Sequence, residues 1–232
     1  MLSHHLNPYL CPALNFNHFI LLLKKEFDIE FRQKTALNGI ILFVLSTVFV
    51  SYLAFQHVIA PNVWNALFWI ILLFGAIITA SKSFLNEQKG RMLYNYFIYS
   101  PREVILSKIA YNSILLTFVS FLTLFLFSIF IGNVVQDLGT FSLILFLTSF
   151  GFSAILTLMA GISVKAGGSF TLTAILSFPL TFPLLLVAIK VSKLAIDGIA
   201  FSVCIQYLLV LLLLNLIVSI LSFVLFPYLW HD

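Results

Sequence analysis

Charged side chains are scarce in this 232-residue sequence, where Asp, Glu, Lys and Arg together make up only 9% of the residues. Soluble domains carry about 25% charged residues. Here 62% of the residues are hydrophobic and the mean hydropathy is +1.12. A water-soluble core cannot bury so much apolar surface, which excludes a soluble domain. The composition predicts an all-α, polytopic membrane protein with almost no extramembrane domain.

Cysteine and the common chemical motifs are equally sparse. Cys11 and Cys204 lie far apart, without a Cys-x-x-Cys pair or a Cys/His cluster, so neither a zinc site nor a disulfide framework is predicted. The sequence has no GxxxxGK[ST] phosphate loop, no HExxH and no GxSxG. Ionisable residues inside the apolar runs are nearly absent, which argues against a proton-coupled carrier. We therefore expect no catalytic site, no metal site, no firmly bound cofactor, and an energy source on another chain.

Six apolar runs are each long enough to cross a bilayer as a helix, which takes about 20 residues. Residues 1–15 show no helical period and are predicted to form a flexible leader, which leaves 16–232 as a single transmembrane domain. The predicted spans cover 36–55, 63–81, 109–131, 140–164, 170–189 and 199–226, with a cytoplasmic loop at 82–108.

An amphipathic helix is predicted at 16–35, ahead of the first span. Its apolar side is assigned to Phe19, Leu22, Leu23, Phe27 and Phe31. We expect this helix to lie along the membrane surface, with a solvated helical arm as the alternative. Its polar side is assigned to Lys24, Lys25, Glu26, Asp28, Arg32 and Lys34.

Lysine and arginine indicate the orientation. With the N-terminus in the cytoplasm, only Lys190 and Lys193 of the 12 basic residues fall on the opposite side. Cytoplasmic loops of membrane proteins carry the excess of basic residues, so both termini are predicted to be cytoplasmic. The net charge of +4 is then a topology signal, and no nucleic-acid partner is expected.

The loop at 82–108 is the longest and most charged connection. Gly90 is suited to end one helix and begin another. The stretch "MLYNYFIYSP" after it is amphipathic and tyrosine-rich, and Pro101 is interpreted as a break before the next span. The pattern favours a short helix on the cytoplasmic face that couples to another protein. An ordinary interfacial loop anchored by tyrosines is the alternative.

The fifth span contains "SFPLTFP", in which Pro179 and Pro183 lie four residues apart on one helix face. Proline lacks the backbone donor, so the carbonyls of Ile175 and Pro179 lose their helical bonds. We expect a kinked span, entered through a Gly167–Gly168 turn, that moves during the working cycle of the protein. A static kink that only shapes packing is the alternative.

These stretches resemble a known family. An interfacial helix, two spans, a loop of the form E-x-x-G-x-x-L followed by a proline and a lysine, and then four spans resemble an ABC-2-type transporter permease. More narrowly, "KKEFDIEFRQKTALNGIILF", the loop and "SVKAGGSFTLTAILSFPLTFPLLLVA" are similar to the CcmB family. In the loop the matching residues are Glu87, Gly90, Leu93, Pro101 and Lys108. In the third stretch they are Lys165, Gly167, Gly168, Pro179, Pro183 and Leu184.

The resemblance implies a permease in the bacterial cytoplasmic membrane. Its implied partners are a cytoplasmic ABC ATPase, further cytochrome c maturation membrane subunits and a periplasmic haem chaperone, with haem as a handled ligand. ATP hydrolysis would drive either passage of haem or release of the loaded chaperone, and the lack of paired haem ligands favours release. With such an ATPase as partner, we expect the kinked fifth span to move when the ATPase closes, with Gly167, Gly168, Pro179 and Pro183 as the conformational residues. The implied ATPase-coupling residues are Glu87, Gly90, Arg91, Leu93, Pro101, Arg102 and Lys108.

Other functions are compatible with the same residues. A different ABC-2 permease would export a lipid, a polysaccharide or a drug, and the neighbouring genes would distinguish it. An intramembrane lipid transferase would need acidic or histidine residues clustered near one interface, and the sequence offers none. A membrane scaffold would not need the loop at 82–108 with its Gly90 and Pro101.

Overall fold

The computed structural model describes residues 16–33, 35–55, 59–85, 100–167 and 170–231. In these residues all regular structure is helical, in seven helices, and six of the helices are long and apolar enough to cross a membrane. The predicted fold class is thus confirmed. The helices are α1 Phe16–Gln33, α2 Thr35–Phe55, α3 Pro61–Leu85, α4 Pro101–Phe130, α5 Leu138–Lys165, α6 Phe170–Ile196 and α7 Phe201–His231.

The start of α4 corrects the predicted boundary at residue 109. Ser100 has extended backbone angles, its hydroxyl accepts from the amide of Glu103, and the Glu103 carboxylate accepts from the amide of Ser100. This is a capping box, and Pro101 occupies the first helical position, where its missing N–H costs nothing. Pro101 therefore begins the helix, and interpreting it as a break was wrong.

Two other helices extend beyond their predicted ends. Lys82, predicted to open the loop, lies within α3, which continues to Leu85. Lys190 and Lys193, predicted in a connection, lie within α6, which continues to Ile196. Long helices with basic residues in their last turns are stabilised by the helix dipole, so charge at a span end does not stop the helix.

Helix α5 is the most deeply buried span and packs against α3, α4, α6 and α7. Every residue from 151 to 161 is buried. Small side chains fill this stretch, including Ser153, Ala154, Thr157 and Ala160. Small residues let helix backbones approach closely in a membrane, where the lipid provides no hydrophobic drive for association.

A polar relay ties α3 to α6 inside the bundle. The indole N–H of Trp69 donates to the Ser192 hydroxyl at 2.8 Å, and Ser192 donates to Asn65 Oδ1 at 2.9 Å. The Asn65 amide then donates to the carbonyl of Ile189 at 3.0 Å. Each of these groups has a partner, which a lipid-embedded core requires. The relay fixes α6 against α3 near the Pro61 end of α3.

Gly151 marks a close approach of α5 to α6 and α7. A Cβ at this position would overlap Asn215 Oδ1 and a methyl of Leu184. Both side chains are buried, and Asn215 holds the carbonyl of Leu147 at 2.8 Å, so neither moves freely. We predict that Gly151→Ala destabilises the purified chain by about 1–3 kcal/mol in a detergent melting experiment.

Gly75→Ala is the matched control. A Cβ there meets only Ile40, at an ordinary 3.5 Å. The melting temperature of Gly75→Ala should stay close to that of the parent chain. Equal melting of the two variants would show that Gly151 sets no packing limit.

Candidate coupling site

Charged side chains are buried where α1 packs on α4. The face that α1 turns towards the bundle consists of Leu22, Glu26 and Glu30, each no more than 6% exposed. Phe31, assigned to the apolar side, is 66% exposed, which suits a side chain that meets the membrane. Glu26, assigned to the polar side, is instead buried against the bundle, so its predicted place on a solvated face was wrong.

Lys108 of α4 explains why Glu26 is buried. Its ammonium lies 3.1 Å from the Glu26 carboxylate, and its side chain is completely buried. An unpaired carboxylate would be excluded from such a place, so the two charges must enter the interface together. Lys108 therefore holds α1 on α4. It does not lie on an exposed loop, as the sequence predicted.

Glu30 joins α1 to α2. Its carboxylate accepts a 2.7 Å hydrogen bond from the amide of Leu37, in the first turn of α2. Amides in the first turn of a helix lack helical partners and carry partial positive charge, which favours a carboxylate there. Glu26 and Glu30 thus bind α1 to two different spans from adjacent turns.

Two further contacts extend the junction along α1. His18 Nδ1 lies 3.5 Å from Glu103, the capping residue of α4. The rings of Phe27 and Tyr111 meet edge to face at 5.2 Å, and Tyr111 lies within electrostatic range of Glu30 and Glu26. We call the set His18, Glu26, Glu30, Glu103, Lys108 and Tyr111 the α1–α4 junction.

The predicted coupling residues divide into two groups. Glu87, Gly90, Arg91 and Leu93 lie outside the described residues. Pro101 and Arg102 form the first turn of α4, and the Arg102 guanidinium lies 4.9 Å from the ring centre of Phe223 in α7. The structure therefore brings Pro101, Arg102 and Lys108 onto the first two turns of α4, directly after residues 86–99.

The predicted conformational residues surround α6. Gly167 has φ 111°, a left-handed conformation that glycine adopts without strain, and Gly168 lies outside the described residues. Pro179 and Pro183 are both exposed, while Ser177 and Thr181 on the other side are buried. The two prolines thus occupy the lipid side of a helix that is continuous from Phe170 to Ile196.

Hydroxyl groups support the backbone next to the prolines. Thr181 donates to the carbonyls of Ser177 and Phe178, each at 3.1 Å, and Ser177 donates to the carbonyl of Thr173. Such back-bonding weakens and bends helices. The polar face of α6 therefore adds to the local softening that the prolines introduce.

Sequence reasoning did not select Glu26, Glu30 or Glu103 as site residues. Two carboxylates at i and i+4, in line with the apolar Leu22 on one face of an amphipathic helix, were the available signal, together with a lysine near the start of a span. The Ser-x-x-Glu spacing of Ser100 and Glu103 was the signal for the capping box. Within the described residues, no group of three or more His, Cys, Asp or Glu side chains is placed to hold a metal ion.

The fold and the junction define a class of protein: a multi-pass helical membrane protein whose buried charges tie a surface helix to its spans. A family model described as CcmB protein matches residues 17–225, and the chain belongs to this family. The family assignment makes it a membrane permease subunit of the haem-handling ABC system of cytochrome c maturation, and not itself an enzyme. No curated protein matches the chain.

Proposed function

We propose that this chain couples ATP hydrolysis by a separate cytoplasmic ATPase to haem delivery, or to release of a haem-loaded chaperone, in cytochrome c biogenesis. Family membership over residues 17–225 is the observation that carries the proposal. The chain has no phosphate loop of its own, so ATP must be hydrolysed by a partner.

The α1–α4 junction supplies a physical route for coupling. Residues 86–99, together with Pro101 and Arg102, would dock the ATPase. The capping box stabilises the first turn of α4, so displacement of residues 86–99 would move the start of α4 as a unit. Lys108 and Glu26 would pass this movement to α1, and Glu30 would pass it to α2. The proline-bearing α6 is the span we expect to bend in response.

Functional replacement tests the proposal. The gene would be expressed in a bacterium that lacks its own CcmB-family subunit, and holocytochrome c would be measured by haem staining. We expect restored staining with the parent chain. A chain that reaches the membrane in normal amounts and restores no cytochrome c would contradict the proposed function. Restored export of a lipid, polysaccharide or drug in the corresponding mutants would favour another permease function.

We further propose that the chain lies in the bacterial inner membrane with both termini in the cytoplasm. Asn133, in the α4–α5 connection, and Ala166, after α5, are both exposed and lie at opposite ends of α5. Single cysteines at these positions, in a chain without Cys11 and Cys204, should be labelled from opposite sides. We expect an impermeant maleimide to label Asn133→Cys from the periplasm and Ala166→Cys only after permeabilisation. Labelling of Asn133→Cys from the cytoplasmic side only would reverse the topology.

A further inference from the structure

An apolar cavity of about 400 Å³ opens between α1, α4, α5 and α7. Its wall includes Phe16 and Phe19 of α1, Leu106 and Ile109 of α4, Phe150 of α5 and Ser219 of α7. Ligand cavities in proteins range from about 300 to 1,000 Å³ and are mostly apolar. The volume and the lining fit hydrocarbon.

A cation lies at one end of this cavity. Arg102 precedes Leu106 by four residues on α4, and Phe223 follows Ser219 by four residues on α7. Because four residues make about one helical turn of 5.4 Å, the Arg102–Phe223 pair lies one turn beyond the cavity wall on both helices. Arg102 belongs to the first turn of a candidate span, which places its guanidinium at the level of lipid headgroups.

Polar atoms around this cavity have hydrogen-bonding capacity to spare. Arg102 Nε and the hydroxyl of Ser219 are buried and have no hydrogen-bond partner among the residues that the structure describes. A buried donor without a partner is costly, particularly within a membrane, and a ligand oxygen would satisfy it. Arginine is well suited to a phosphate because its planar guanidinium donates two parallel hydrogen bonds.

We propose that this cavity binds one anionic phospholipid, with an acyl chain against Phe19 and Phe150 and the phosphate on Arg102. The bilayer supplies such a molecule at high local concentration. The six side chains named above as the cavity wall include no His, Met, Cys or Tyr, the residues that ligate haem iron, which favours a lipid over haem as the occupant. The bound lipid would fill the space between α1 and α7 and thereby support the α1–α4 junction.

Lipid retention by the purified full-length chain tests this site. The chain would be equilibrated in mixed micelles with equal amounts of palmitoyl-oleoyl phosphatidylglycerol and phosphatidylcholine, and retained lipid would be counted by native mass spectrometry. We expect about tenfold enrichment of phosphatidylglycerol, the factor typical of one charge-assisted contact. Arg102→Gln should abolish the enrichment while one lipid stays bound. Ala110→Trp, which fills the cavity from its α4 side, should remove the retained lipid.

Lys190→Gln is the matched control. Lys190 also stacks on a ring of α7, at 4.6 Å from the centre of Tyr207, but does not adjoin the cavity. The Lys190→Gln variant should leave the enrichment of phosphatidylglycerol unchanged. Ala110→Leu would be measured beside Ala110→Trp. The variant that keeps the melting temperature of the parent chain shows whether filling the cavity removes the lipid. If both variants melt at a lower temperature, the site is tested by comparing the lipid enrichment of Arg102→Gln with that of Lys190→Gln.

Any one of four results would overturn the site. Equal retention of the two lipids by the parent chain would remove the role of Arg102, and so would persistence of the enrichment in Arg102→Gln. Loss of enrichment in Lys190→Gln as large as in Arg102→Gln would reduce the effect to surface charge. Displacement of phosphatidylglycerol by haemin would assign the cavity to haem instead.

Discussion

Lys108→Met should produce the largest loss of stability of any single substitution at the α1–α4 junction. It keeps the length of the side chain but removes the buried partner of Glu26, whose carboxylate is then left beside α4 with only the longer contact to the partly exposed Lys25. Removing one partner of a buried ion pair typically costs about 3–5 kcal/mol. We therefore expect a much lower melting temperature in detergent, and rapid trypsin cleavage after Lys24, Lys25 or Arg32 as α1 detaches.

Lys25→Met provides the matched control for this experiment. Lys25 also pairs with Glu26, at 3.7 Å, but its side chain is 29% exposed. Partly exposed pairs contribute about 0–1 kcal/mol, so this variant should melt near the parent chain. The double variant Glu26→Gln, Lys108→Met should recover much of the loss, because no unpaired charge is left at the interface. Equal melting of Lys108→Met and Lys25→Met would show that the buried pair does not hold α1.

Replacing both Pro179 and Pro183 with alanine should abolish cytochrome c maturation while leaving the protein folded. The substitutions return amide donors to the carbonyls of Ile175 and Pro179 and stiffen α6, because proline in a helix interior costs about 3 kcal/mol. Both prolines are exposed, so their loss opens no cavity within the bundle. Haem-stained cytochrome c would be measured together with co-purification of the ATPase.

The double variant Leu180→Ala, Phe182→Ala controls for this surface. These side chains are exposed on α6 beside the prolines, and their truncation leaves the backbone hydrogen bonds unchanged. It should mature cytochrome c normally. Normal maturation in the double proline variant would reduce the prolines to a detail of packing, whereas loss of ATPase binding would make them a requirement for assembly.

The number and character of the helices could be predicted from the sequence because a bilayer demands long apolar segments. The helix boundaries could not be predicted as well, because a proline can either interrupt a helix or begin one. The apolar pattern alone predicts that Pro101 is a break. Ser100 and Glu103 together form a capping box, which shows that Pro101 begins α4. Charge at the end of an apolar run predicts a connection at Lys190 and Lys193, yet α6 continues past both residues to Ile196.

The buried charge pair could not be predicted from local pattern. Glu26 has the helical position of a solvent-facing residue if only its neighbours in α1 are counted. Its partner Lys108 lies 82 positions away, and only the packing of α1 on α4 brings the two charges together. The exposure of Pro179 and Pro183 could not be predicted from local pattern either. Their spacing of four residues places them on one face of α6, but only the packing of α6 on the other helices determines that this face is exposed.

Affinity purification of the tagged chain from membranes, with partner identification and an ATPase assay, tests the coupling claim most directly. Arg91→Glu would be compared with Lys193→Glu, which reverses a charge that our topology assigns to the other side of the membrane. We predict that the parent chain and Lys193→Glu each recover an ABC ATPase with active ATP hydrolysis, and that Arg91→Glu loses the ATPase while inserting normally. The proposed docking of an ATPase on residues 86–99 would be contradicted if the parent chain recovers no ATPase. It would also be contradicted if Arg91→Glu recovers as much ATPase as the parent chain.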